Sequence, residues 1–226
     1  MGSVKTSSST IKIGEYMKAS VLAFAGSIAS GKSTISLGVA NALGWPYVSF
    51  GDYIRKIAKL RGLEDSREIF QEIGQSLIEE GWDKFCWSVL NQVEWSPGKP
   101  LVIDGIRHIE AIDTLRSIAF PAKLLLIFIE VKESTREARF LKRETYDHKN
   151  LHIVENHPVE AQVKTLLPQT ADLIVRNDEP IADTLYQIIM WISKNLVVGH
   201  TGNTIHPPSG VTYYPKILTT SPLVGD

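Results

Sequence analysis

Cysteine is nearly missing: Cys86 is the only one in 226 residues. An internal disulfide is excluded, and a reducing compartment, the cytoplasm, is the expected location. Cys86 falls in Trp82-x-x-Phe85-Cys86-x-x-Val89-Leu90, an apolar pattern of helical period, so it reads as core and not as a nucleophile. No apolar run is long enough to cross a bilayer, and the start lacks the hydrophobic segment of a signal peptide, so no membrane partner is expected. Charge of one sign is also missing. With 24 Lys and Arg against 25 Asp and Glu, neither disorder nor an extended nucleic-acid face is indicated. There is no Asn-Lys-x-Asp stretch to support a GTPase and no Gly-x-Ser-x-Gly elbow to support a catalytic triad. His148, His152 and His157 follow no helix-borne zinc spacing and have no cysteines beside them, so a hydrated loop accounts for them better than a metal centre.

What is present is one strong motif. Val21-Leu22-Ala23-Phe24-Ala25 runs straight into Gly26-Ser27-Ile28-Ala29-Ser30-Gly31-Lys32-Ser33, and Thr34, Ile35, Leu37, Ala40 and Leu43 continue at helical spacing. Strand, Gly-x-x-x-x-Gly-Lys-Ser and helix make the context that a phosphate loop requires. Gly26 and Gly31 permit backbone angles closed to other residues, so that successive N–H groups can curl around phosphate oxygens. The helix start adds its positive end. Lys32 supplies a mobile charge for the β- and γ-phosphates, and the Ser33 hydroxyl is a natural magnesium ligand. Gly26, Ser27, Ala29, Ser30, Gly31, Lys32, Ser33 and Thr34 are therefore the candidate residues for binding ATP with Mg2+.

Around this motif, strands alternate with helices through Asn195. Strands are expected near 45–50, 101–104, 123–131 and 171–175, with helices near 53–60, 66–80, 82–93, 110–118, 134–143, 159–167 and 180–195. Asp65 with Glu68, and Ser134 with Glu137, form capping-box patterns. The run from Lys123 to Val131 is so apolar that a strand covered on both faces is expected, hence a parallel sheet. The fold class follows: a three-layer α/β P-loop NTPase fold, with a mostly parallel five-stranded sheet and helices on both faces. Residues 1–18 read as a flexible leader and 19–198 as the domain. Residues 199–226, rich in Pro, Gly, Ser and Thr, read as an irregular tail that packs back or forms a homodimer or partner contact. In open α/β sheets ligands collect beyond the carboxyl ends of the strands. Asp52, Asp104, Arg107, Arg136, Arg139, Arg143 and Asn177 all fall just past expected strand ends.

These short segments resemble the nucleoside monophosphate kinase group, which includes adenylate kinase, dephospho-coenzyme A kinase and the deoxynucleoside monophosphate kinases. The resemblance runs from about Val21 to Asn195. Gly51-Asp52-Tyr53-Ile54-Arg55 resembles the segment that binds the acceptor's phosphate. Asp104-Gly105-Ile106-Arg107 is similar to the Asp-Gly-Ile-Arg form of dephospho-coenzyme A kinase-like proteins. Arg136, Arg139 and Arg143 resemble the arginines flanking a mobile lid, here about 136–158, and the segment ending in Asn177 resembles the loop beside the adenine. The resemblance implies transfer of the γ-phosphoryl of ATP to a small phosphorylated acceptor, a nucleotide above all, bound among helices at about 52–95.

Phosphoryl transfer asks the protein for positioning and charge neutralisation, and the arginine fork suits phosphate oxygens. Arg55 and Arg107 are expected to hold the acceptor phosphate. Lys32, Arg139 and Arg143 would neutralise the transferred group, with Arg136 extending the same helix face. Asp104 would hold magnesium through water, and Asp52 would orient the acceptor or the metal's water shell. Each has a plainer alternative. Asp52 would cap a helix at Tyr53, Asp104 would serve the turn at Gly105, and Arg107 would pair with Glu110. The arginine stripe would pair with Glu133 and Glu137, and Asn177 would be a loop residue. Gln71, Gln75, Trp82, Trp87 and Gln92 either read a base or divide between core and water. A nucleotide-binding regulatory ATPase that engages a partner through the tail is the competing function.

Overall fold

The computed structural model describes residues 20–142, 158–178 and 180–196. Arg143, the three histidines, the leader, the segment 143–157 of the expected lid and the tail all lie outside the described residues.

Alternation along the first strand organises the core. In β1 (Ser20–Gly26) Val21, Ala23 and Ala25 join one apolar cluster, while Leu22 and Phe24 join a second on the opposite face. The other strands are β2 (Tyr47–Ser49), β3 (Leu101–Ile106), β4 (Lys123–Glu130) and β5 (Leu173–Arg176). They form one sheet in the order β2-β3-β1-β4-β5, with every neighbouring pair parallel. In β4 only the end residues Lys123 and Glu130 are exposed, and the six between them are buried. That is why the run carries no polar alternation: both faces of a central parallel strand meet helices.

Helix α1 (Lys32–Leu43) and the last helix, α8 (Ile181–Leu196), cover one face through Ile35, Val39, Ile188 and Ile192. The other face is covered by α2 (Phe50–Leu60), α4 (Trp82–Leu90), α5 (Ile109–Ala119) and α7 (Pro158–Thr170), with α3 (Arg67–Glu79) resting on α2 and α4. Helix α6 (Glu133–Leu141) follows β4. The three-layer five-stranded architecture is the one expected. Cys86 is fully buried inside α4, and burial pushes its thiol up to about 12.

Several helix starts differ from expectation, for one reason: a cap is set by backbone geometry, and the spacing pattern alone can choose the wrong residue. α2 begins at Phe50, directly after β2, and its cap is Ser49, whose Oγ accepts from the Asp52 N–H at 3.2 Å. Asp52 therefore sits inside the first turn and caps nothing at Tyr53. The cap of α3 is Ser66, one residue beyond the expected Asp65, and accepts from the Ile69 N–H at 3.3 Å. Ser134 lies within α6, whose cap position is Lys132. There the Lys132 N–H donates instead to Asp178 of the strand-five loop at 2.8 Å.

Candidate active site

The loop between β1 and α1 is shaped by its glycines. Gly31 caps α1 at φ +83°, and a β-carbon there would collide with the Asn177 amide. A β-carbon on Gly26 would come within 2.6 Å of the Ile129 carbonyl of β4, so the backbone presses directly on its neighbouring strand. No side chain caps α1 and no acidic residue lies in its first turn, which keeps the positive helix end for an anion.

Asp104 is the hub beneath this cradle. Its carboxylate is 3% exposed, accepts from Lys32 Nζ at 2.7 Å and from Ser33 Oγ at 2.7 Å, and meets the Tyr47 hydroxyl at 3.4 Å. A register shift in the β1–β3 ladder, where Phe24 pairs Asp104 but Ala25 pairs Ile106, inserts Gly105 at φ +89° and turns the strand end toward the loop. Burial pulls the Lys32 pKa below its ordinary value; Asp104 opposes that, and the nearby charges of Arg107 and Arg55 add to the lowering. Burial, then the Asp104 charge, raises the Tyr47 phenol. Tyr47 was not among the expected residues: the register pairs Ser49 with Asp104, and Tyr47, opposite Val102, reaches the carboxylate only through its phenol.

The Ser33 hydroxyl and Asp104 carboxylate are the kind of oxygen pair that a hard divalent cation takes when phosphates and water complete its shell. They fit Mg2+. Among the described residues no group of three His, Cys, Asp or Glu converges on a metal position.

Beside the hub opens a cleft of about 660 Å3 between α2, α3, α4 and the end of β3. Arg55 and Arg107 both line it, with Phe50, Ile54, Trp82 and Phe85 giving an apolar floor. Arg55 is exposed and pairs with Asp52 at 2.5 Å one turn earlier. Gln71, Gln75 and Trp82 line the cleft. Trp87 instead packs against Trp95, with ring centres 6.4 Å apart, and Gln92 donates to the Val89 carbonyl at 3.2 Å. Of these five residues, Gln71, Gln75 and Trp82 thus line the cleft and Trp87 and Gln92 do not.

On the other side of the loop, Arg139 Nη1 reaches the Ser30 carbonyl at 3.4 Å. Two expectations are corrected here. Arg136 does not extend an open cationic face: its side chain is 3% exposed and ion-paired with Glu133, whose carboxyl that hydrogen bond holds below the usual range. Asn177 is 1% exposed; it donates to the Ser30 carbonyl at 2.7 Å and accepts from Thr184 at 3.2 Å. With both ends of its amide engaged, it braces the loop from behind and is not placed as a direct contact to a base. Ser27 is half-buried and Thr34 exposed at the loop's two ends.

Residues 22–161 match the AAA domain family. A UPF0200/UPF0201 protein of Archaeoglobus fulgidus is 31% identical over 198 residues, 83% of this chain, which spans only 60% of that relative's length. A UPF0200 protein of Methanosarcina mazei is 31% identical over 131 residues, 58% of this chain and 69% of the relative. Among solved structures, shikimate kinase from Aquifex aeolicus superposes with a TM-score of 0.51 at 18% identity, covering 77% of this chain and 97% of that one. That likeness is one of fold. Together these similarities reach the P-loop NTPase group and stop short of singling out the nucleoside monophosphate kinases. The chain belongs to the AAA domain family of P-loop NTPases, among the UPF0200 proteins.

Proposed function

We propose that the protein is an ATP-dependent phosphotransferase that moves the γ-phosphoryl group to a nucleoside or deoxynucleoside monophosphate, or a closely related phosphorylated acceptor. The observation that carries this reading is the cleft beside Lys32, with Arg55 and Arg107 on its wall. A nucleotide binder without an acceptor has no use for a second, arginine-lined chamber at the carboxyl edge of the sheet.

In this reading the loop amides and the α1 start hold the triphosphate, and Lys32 leaves Asp104 for the β- and γ-phosphates. Ser33 and Asp104 would hold Mg2+, which supplies charge neutralisation across the phosphates. Arg55 and Arg107 grip the acceptor phosphate and align its oxygen with the γ-phosphorus, and Asp52 fixes the Arg55 fork. Arg139 neutralises charge from the lid side, and Arg143 is assigned the same role. The reading places this work in the cytoplasm, where the one thiol, Cys86, stays reduced.

The test is ADP release from Mg–ATP with a panel of nucleoside monophosphates and dephospho-coenzyme A. At least one acceptor should stimulate turnover, and Arg107→Ala should reduce the stimulated rate by about 10²- to 10³-fold. Slow hydrolysis that no acceptor stimulates and that Arg55→Ala and Arg107→Ala leave unchanged would overturn the proposal and favour a regulatory ATPase.

A further inference from the structure

We infer that Tyr47 is a positioning residue for the metal site: its phenol holds the Asp104 carboxylate in place when Lys32 turns to the phosphates. The inference rests on the reading above for Lys32 leaving Asp104 and for Mg2+ at Ser33 and Asp104, and it needs no acceptor.

Among the described residues, three side chains hydrogen-bond the Asp104 carboxylate. Lys32 donates to Oδ1 at 2.7 Å, while Ser33 at 2.7 Å and the Tyr47 phenol at 3.4 Å share Oδ2. Lys32 and Ser33 open α1 and belong to the cradle, so both take new partners when a nucleotide and its metal arrive. Tyr47 belongs to β2. The β2–β3 ladder sets Ser49 against Asp104 and Tyr47 against Val102, which puts Tyr47 and Ser49 on one sheet face. From there the phenol reaches along the face to the carboxylate. Its ring packs against the apolar cluster beneath α1, so the side chain is held independently of the bond it makes. Ser36, fully buried one turn beyond Ser33, donates to the Ser33 carbonyl at 3.1 Å and is a hydrogen-bond neighbour of the same phenol. The phenol thus ties the strand to the helix at the level of the metal ligands.

A buried carboxylate that loses its lysine needs other donors to stay where it is. Mg2+ demands near-octahedral geometry at short range, so a carboxylate free to rotate serves it poorly. Groups that orient a metal ligand are typically worth about 10- to 100-fold in metal affinity. A phenol suits this post because it donates one hydrogen bond and adds no charge to compete with the cation.

Calorimetric titration of the whole chain with ATP, once in EDTA and once in saturating Mg2+, tests the inference. The quantity read is the ratio of the two dissociation constants, the gain due to the metal. Tyr47→Phe keeps the packed ring and removes only the hydroxyl. Its ratio should fall about tenfold or more, so that the loss in Mg2+ exceeds any loss in EDTA. Beside Asp104→Asn, Tyr47→Phe should change the ratio no further, because the phenol acts through that carboxylate. An unchanged ratio, an equal loss in both conditions, or an effect that persists beside Asp104→Asn would overturn the inference alone. A wild-type ratio of one would overturn it together with the metal placement. Failure of every acceptor to stimulate ADP release sinks the phosphotransferase and leaves the Tyr47 result standing.

Discussion

Lys32 and Asp104 form a buried ion pair, and the proposed function gives each a second role at the nucleotide. Lys32 is 11% exposed, and Asp104 is its 2.7 Å partner. Removing one member of a buried pair strands the other charge, at a cost of about 3–5 kcal/mol. Lys32→Ala should therefore lower the melting midpoint as well as abolish ATP binding. Adding Asp104→Asn should recover most of the stability and none of the binding, measured by thermal melts with and without nucleotide. If the double variant is no more stable than Lys32→Ala, the pair does not act as described. Cys86 gives a simpler test: fully buried and with its thiol pushed up to about 12, it should resist thiol reagents at neutral pH in the native protein and react once denaturant is added. The sequence made both assignments accessible, since the phosphate loop identifies Lys32 and helical spacing buries Cys86. It could not show that Tyr47 reaches Asp104, because Tyr47 pairs with Val102 in the parallel register and meets Asp104 only through its long side chain, two residues further along β3.

At the scale of elements, α6 depends on the contact between Glu133 in its first turn and Arg136 one turn on. The hydrogen bond from Arg136 holds the Glu133 pKa below the ordinary 4.5 in the folded state. As pH falls through that window the unfolded chain takes up the proton first, so stability drops; the contribution is complete above 4.5 and gone below the folded value. Glu133→Gln should thus cost on the order of 1 kcal/mol at neutral pH, modest because the carboxylate is largely exposed. The difference from wild type should vanish in acid, as denaturant melts at stepped pH will show. A penalty that persists below the carboxylate range would place the effect elsewhere. The sequence suggested a capping box at Ser134 here. The helix starts earlier, at Glu133 with Lys132 in the cap position, so Ser134 lies inside its first turn and cannot cap it.

For the molecule as a whole, the phosphate loop is held from the β5 edge of the sheet. Asn177 follows β5, yet its amide supports the Ser30 carbonyl 147 residues earlier and is itself held by Thr184 of α8. Asn177→Ala removes the shorter of the two donors to the buried Ser30 carbonyl and leaves it only Arg139 at 3.4 Å, at a cost of about 1–3 kcal/mol. Hydrogen exchange should quicken in 27–33, and the nucleotide Kd should rise while acceptor affinity stays as it was. Unchanged exchange in the loop would show that the brace carries no load.

The repeated passage from apolar run to amphipathic helix, together with Gly-x-x-x-x-Gly-Lys-Ser, determined the layered parallel fold, the phosphate cradle and the gathering of Asp104, Arg55 and Arg107 at one sheet edge. Those features are local in origin: periodicity chooses the element, and glycine chooses the turn. Tertiary structure alone decided that Asn177 supports the loop from behind, that Arg136 is buried against Glu133 and that Tyr47 meets Asp104. Each of these depends on which surfaces of distant elements meet, and a linear pattern of residue types does not encode that distance.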